Sequence, residues 1–143
     1  VVLLHHLLDE GKRVAIQEWA IELNLAGWSR YGTPGCIVAE GSSQDLQTLV
    51  SRLRALRWQS MEIAAYSSSS SRVIVPDVWQ EVQSMRDLKQ GLVHSGLEAL
   101  FALAQSGEGS SSAIGAFGGP SAMEYHEKRA ADERASGKDP TRA

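Results

Sequence analysis

Hydrophobic and polar positions along this chain fall into short periodic runs. Val1–Leu8 is β-branched at its start and is followed by Asp9-Glu10-Gly11, a turn signal, which predicts a first strand. From Lys12 to Asn24 the residues Ile16, Trp19, Ala20 and Leu23 recur at i, i+3, i+4 and i+7. That spacing puts them on one face of an amphipathic helix. Asn24 or Gly27 stops it, since both tolerate positive φ. Ala26–Tyr31 and Cys36–Glu40 read as strands joined through Gly32-Thr33-Pro34-Gly35, a hairpin. A second helix opens at Gly41-Ser42-Ser43, with Ser42 as N-cap and Asp45 placed to favour the helix dipole. Leu46, Leu49, Val50 and Leu53 form its apolar stripe, and Leu56 continues it up to Trp58. Ser60–Tyr66 then alternates Met61, Ile63 and Ala65 against Glu62, Ala64 and Tyr66, the period of a half-buried strand.

The resulting order, β-α-β-β-α-β, predicts an α+β fold of the ferredoxin-like kind: a four-stranded antiparallel sheet with both helices on one face. Residues 67–105 read as an appendage on that core. Ser67–Ser71 forms a loop, and strand-like residues occupy Arg72–Val75 and Val78–Val82 on either side of Pro76-Asp77. Leu88, Leu92 and Val93 predict a helix ending at Ser95-Gly96, and Leu97, Leu100, Phe101 and Ala104 predict another.

Composition sets the limits of this domain. Large aliphatic side chains almost vanish after Ser106, and the segment to Gly119 is rich in Gly, Ser and Ala. Such a stretch buries too little apolar surface to offset its ordering entropy, so 106–143 is expected to be a disordered or lightly docked tail. Its five Lys/Arg against six Asp/Glu make it nearly neutral rather than a basic arm. The chain opens with Val inside an expected strand, an abrupt start that suggests a piece of a longer protein.

Charge and cysteine usage narrow the function classes. Across 143 residues, 14 Lys+Arg against 17 Asp+Glu give a net charge of −3, which excludes a strongly basic nucleic-acid domain but not a local basic patch. A single cysteine, Cys36, excludes an internal disulfide framework and a Cys-rich zinc site. The apolar start is too short to span a membrane and lacks the basic opening and cleavage site of a signal peptide. The expected location is intracellular, nuclear or cytoplasmic.

Catalytic patterns are weak. As neighbours on a strand, His5 and His6 would point to opposite faces and could not chelate one metal together. No HExxH, CxxC or G-x-S-x-G pattern occurs, and no metal or other cofactor is expected. Cys36 lies in an apolar strand, where an inert thiol is the ordinary state. Glu40-Gly41-Ser42-Ser43 enters a helix and could receive an anion, but an N-cap explains the same residues. Glu18 and Glu22 fall on a solvated helix face, and Glu40 has no nameable catalytic partner. The pattern is that of a non-enzymatic module.

Basic residues are few but grouped. Lys12 and Arg13 begin the first helix, Arg30 lies on the second strand, and Arg52, Arg54 and Arg57 stud the second helix, with Arg54 and Arg57 on one face. Trp28, Tyr31 and Trp58 are nearby in sequence, and cations beside aromatics suit the backbone and bases of single-stranded RNA. The aromatic strand of an RNA recognition motif is missing, because Gly35–Glu40 holds no aromatic residue.

Three stretches together carry a resemblance: His5-His6 before Lys12-Arg13; Glu18-Trp19-Ala20 through Leu23-Asn24-Leu25-Ala26-Gly27; and Pro34-Gly35 through Glu40-Gly41, with a helix ending in Leu56-Arg57-Trp58. The pattern resembles the family named for the C-terminal domain of the U4/U6 small nuclear ribonucleoprotein (snRNP) splicing factor Prp three. It is closest to the branch that follows an RWD domain, and it covers about residues 1–104. The resemblance implies a ferredoxin-like fold with helical additions and binding of small nuclear RNA at a duplex with adjoining single strand. Carried over by position, Lys12, Arg13, Arg54 and Arg57 would meet the RNA backbone. Gln44 stands where the splicing branch has a Lys after its Glu-Gly turn. The two expected functions are therefore structured or single-stranded RNA binding, through Lys12, Arg13, Arg30, Arg54 and Arg57, or protein interaction within an RWD-containing protein.

Overall fold

The computed structural model describes residues 1–107, so the expected tail lies outside the described residues. Nine elements are present among them: β1 (Val2–Leu4), α1 (Glu10–Glu22), β2 (Ala26–Arg30), β3 (Gly35–Glu40), α2 (Ser43–Ala55), β4 (Met61–Ile63), β5 (Trp79–Val82), α3 (Met85–His94) and α4 (Glu98–Ser106). The fold is α+β, with one five-stranded sheet in the order β4-β1-β3-β2-β5.

The first four strands pair antiparallel. Val2 stands between Ile37 and Ile63, and the β2–β3 hairpin runs from Ala26 opposite Glu40 to Arg30 opposite Cys36. At Gly27 the backbone takes φ 146°, and an added Cβ would lie 1.9 Å from the Val38 carbonyl oxygen. Only glycine fits that crossing.

The caps explain where the helices begin. Asp9, expected as part of a turn, is the N-cap of α1: its carboxylate accepts from the Lys12 amide at 2.9 Å, so the helix starts at Glu10. The chain leaves α1 through Asn24 at φ 52°, a left-handed conformation that asparagine tolerates. Ser42 caps α2 by accepting from the Asp45 amide at 3.1 Å. Ile16, Ala20, Leu49, Val50 and Leu53 from these helices bury one sheet face formed by Val2, Leu4, Ile37 and Ile63.

The wholly antiparallel four-stranded sheet is corrected by β5, which pairs parallel to β2, with Gly27 opposite Trp79 and Arg30 opposite Val82. Helices on one face is corrected as well. Leu88 and Leu92 of α3 and Phe101 of α4 bury the opposite face, packing on Ala26, Trp28, Cys36 and Val38. Consecutive apolar residues Cys36-Ile37-Val38 need cover on both sides of the sheet, and α3 and α4 supply the second cover.

Other boundaries differ for local reasons. β4 stops at Ile63 because Ala64 and Ala65 both turn inward against Ala104, breaking the alternation expected through Tyr66. Arg72–Val75 is not a strand; the Glu40 carboxylate holds it by accepting from the Val73 amide at 2.8 Å and the Ile74 amide at 3.1 Å. Val93 is 61% exposed and lies outside the apolar stripe of α3.

Candidate nucleic-acid interface

Strand direction decides where the basic residues meet. The C-terminal ends of β1, β2 and β5 lie at one edge of the molecule, together with the start of α1 and the end of α2. Backbone bonds join the loops there: His5 donates to the Ser60 carbonyl at 3.1 Å, and Leu7 and Gly32 exchange two bonds at 2.9 Å. Tyr31 donates to the Val82 carbonyl at 3.0 Å. Lys12, Arg13, Arg30, Arg54 and Arg57 all belong to this end.

They differ in what they do. The Lys12 ammonium donates to the Arg57 carbonyl and sits 4.3 Å from the centre of the Trp58 ring. Arg13 forms a two-pronged pair with Glu81 at 2.8 and 3.1 Å and lies 3.8 Å from the centre of the Tyr31 ring. Those hydrogen bonds push its guanidinium further up from an already high value. Arg30 donates to the Gln83 carbonyl at 2.9 Å and to the Pro34 carbonyl, bracing the hairpin against the segment after β5. Arg54 is half-buried in the last turn of α2. Arg57 is exposed.

Two expectations about this group need correction. Arg57 does not share a helix face with Arg54, because α2 ends at Ala55 and its cap, Leu56, is extended at ψ 161°. Trp28 lies away from the cations, 2% exposed under α3 on the opposite sheet face, with its indole donating to Gln80 at 3.1 Å. Tyr31 and Trp58 do meet basic residues, but in each a cation lies over one ring face while the ring also packs against the core, which leaves little face on which a base could stack.

Residues set aside as catalytically silent take structural places. Cys36 is 1% exposed, and burial pushes its thiol up to about 12. Glu40 is engaged by the Val73 and Ile74 amides. Glu22 pairs with Arg52, whose hydrogen bonds hold its carboxyl below the usual carboxylate range. Sequence reasoning missed Glu81 and Gln17, which complete the Arg13 cluster: Gln17 donates to the Glu81 carboxylate at 3.1 Å. The available signal was Gln17 four residues after Arg13 on α1, but Glu81 is distant in sequence.

His5 and His6 depart most from expectation. β1 ends at Leu4, so strand alternation does not govern them. Their rings meet edge to face, with the Nδ1 atoms 2.9 Å apart. Among the described residues no group of three or more His, Cys, Asp or Glu could hold a metal ion. A cavity of about 590 Å³ lies at the opposite end among Val2, Ile37, Leu46, Val50, Ser69 and Arg72, and touches none of the five basic residues. No helix among the described residues is long and apolar enough to cross a membrane. No family model matches the chain.

Proposed function

We propose that this chain is a non-enzymatic RNA-binding module. The observation that carries the reading is the convergence of Lys12, Arg30, Arg54 and Arg57, from separate elements, at one end of the sheet. Arg13 belongs to the same end, but Glu81 neutralises it. We assign it a bracing role rather than a phosphate contact.

The resemblance to the Prp three C-terminal domain family, in its RWD-associated branch, belongs to the same proposal. So do the ferredoxin-like description and a nuclear or cytoplasmic location. The antiparallel β4-β1-β3-β2 part of the sheet, with α1 and α2 on one face, supports the fold part of that reading. With the aromatic rings covered, the chemistry on offer is phosphate neutralisation rather than base stacking. That favours a structured RNA with adjoining single strand, such as the U4/U6 duplex bound in splicing, over an unpaired strand alone. Fluorescence anisotropy with a short duplex carrying a single-stranded flank, at about 50 mM salt, tests this. Saturable binding supports the reading, and no binding refutes it.

A second reading, a protein-interaction module, rests on a different observation. Val14 and Ile21, seven residues apart on α1, are 45% and 75% exposed on a helix whose other face is buried. Under this reading Val14→Asp with Ile21→Asp abolishes association with the protein partner while leaving the fold intact.

A further inference from the structure

His5 and His6 hold a feature that neither reading uses. Their ring centres are 5.1 Å apart, their planes are inclined at 73°, and the Nδ1 atoms are 2.9 Å apart. One Nδ1 donates a proton and the other accepts it. His5 is exposed and His6 half-buried, so solvent reaches the pair.

The two separations distinguish the ion geometries this pair can serve. With metal–nitrogen bonds of about 2.0–2.1 Å, a tetrahedral ion holds two imidazole nitrogens about 3.3 Å apart and their ring centres about 5.2 Å apart. At the right angle of a square-planar ion the nitrogens stand about 2.9 Å apart, but the ring centres close to about 4.5 Å. The 5.1 Å between ring centres is the spacing that the head-on Nδ1···Nδ1 hydrogen bond itself sets, and it also matches the tetrahedral spacing. Small ring rotations that part the Nδ1 atoms by about 0.4 Å aim both lone pairs at one tetrahedral ion. The bridging proton moves to Nε2 of the donor ring, so both rings remain neutral.

We propose that His5 and His6 form a two-ligand site for a divalent ion that accepts tetrahedral nitrogen coordination, Zn²⁺ being the fitting one. The segment that presents them is anchored on both sides, by the His5 amide on Ser60 and by the paired Leu7–Gly32 backbone bonds, so the rings are held together without the ion. Two positions on the ion stay open to water or to an anionic oxygen. Lys12, Arg30 and Arg57 at the same end oppose the ion's charge, Asp9 and Glu10 offset part of that opposition, and the Arg13–Glu81 pair adds no net charge. The site is therefore weaker than a closed structural zinc centre, and it stands whether or not the protein binds RNA.

Co²⁺ titration of the full chain tests the site, since tetrahedral Co²⁺ absorbs strongly in the visible range and octahedral Co²⁺ does not. The expected result is a saturable tetrahedral spectrum at one ion per chain, displaced by Zn²⁺. It weakens at least tenfold in His5→Gln and again in His6→Gln. Imidazole nitrogen NMR of the wild-type chain provides a readout that does not depend on the variants folding. Zn²⁺ should shift the His5 and His6 signals and leave His94 and His126 unmoved. An absent or octahedral spectrum, equal binding by both variants, or shifts confined to His94 or His126 would each overturn the proposal.

Discussion

At Arg13 a single guanidinium is bound in the plane by Glu81 and covered on its face by Tyr31, joining α1, β5 and the end of β2. A positioned, two-pronged pair of this kind couples its partners more strongly than a mobile surface pair. Arg13→Ala and Glu81→Gln should each lower the urea midpoint, and the double variant should lose less than the sum of the two. Simple additivity in that cycle would contradict the pairing. Cys36 permits a pH prediction. Its folded value near 12 lies above that of an unfolded thiol, so the unfolded chain loses this proton first as pH rises. The stability held by the protonated thiol is complete below the ordinary cysteine value and declines from there toward pH 12. Native protein should resist iodoacetamide at pH 8 and react only once unfolded; rapid labelling of the native state would contradict the burial. Cys36 was legible because its own neighbours are apolar. The Arg13 partner was not, because a contact spanning 68 residues leaves no local pattern.

Elements with their own periodicity, α1, α2 and the β2–β3 hairpin, were readable in advance; those defined by what they pack against were not. β5 reads as a weak strand, and its Gln80 and Glu81 make sense only beside Trp28 and Arg13. The apolar run Cys36-Ile37-Val38 carried the signal of a sheet buried on both faces, but the expected sheet had helices on one face only, so the second layer went unread. α3 takes that place through Gly91, where an added Cβ would lie 2.6 Å from the Trp28 ring. Gly91→Ala gains about 1 kcal/mol of helix propensity but overpacks a rigid indole at a cost of about 1–3 kcal/mol. The expected net effect is a loss of about 1 kcal/mol, read by urea unfolding; a stabilised variant would contradict this packing. Glu40→Gln tests how the segment before β5 is held. Losing one of two carboxylate acceptors should speed hydrogen exchange at Val73 or Ile74 while leaving the β2–β3 ladder protected. Uniformly faster exchange across the sheet would instead show that Glu40 supports the whole fold.

For the whole molecule, the net charge of −3 and the basic end are compatible because charge is distributed unevenly. Counterion release depends on the few cations that meet phosphate, not on the sum over the chain. The most direct test of the RNA reading is the salt dependence of binding to a duplex with a single-stranded flank, comparing wild type with Arg54→Glu plus Arg57→Glu. Lys89→Glu, an exposed site on α3, controls for the effect of charge reversal away from the basic end, at half the change in net charge. The account predicts a linear fall of log affinity with log salt in the wild type. The double variant should bind at least tenfold more weakly, with a slope shallower by about 1–2, and Lys89→Glu should change little. Salt-insensitive binding, or equal weakening by Lys89→Glu, would contradict the basic end as the RNA surface.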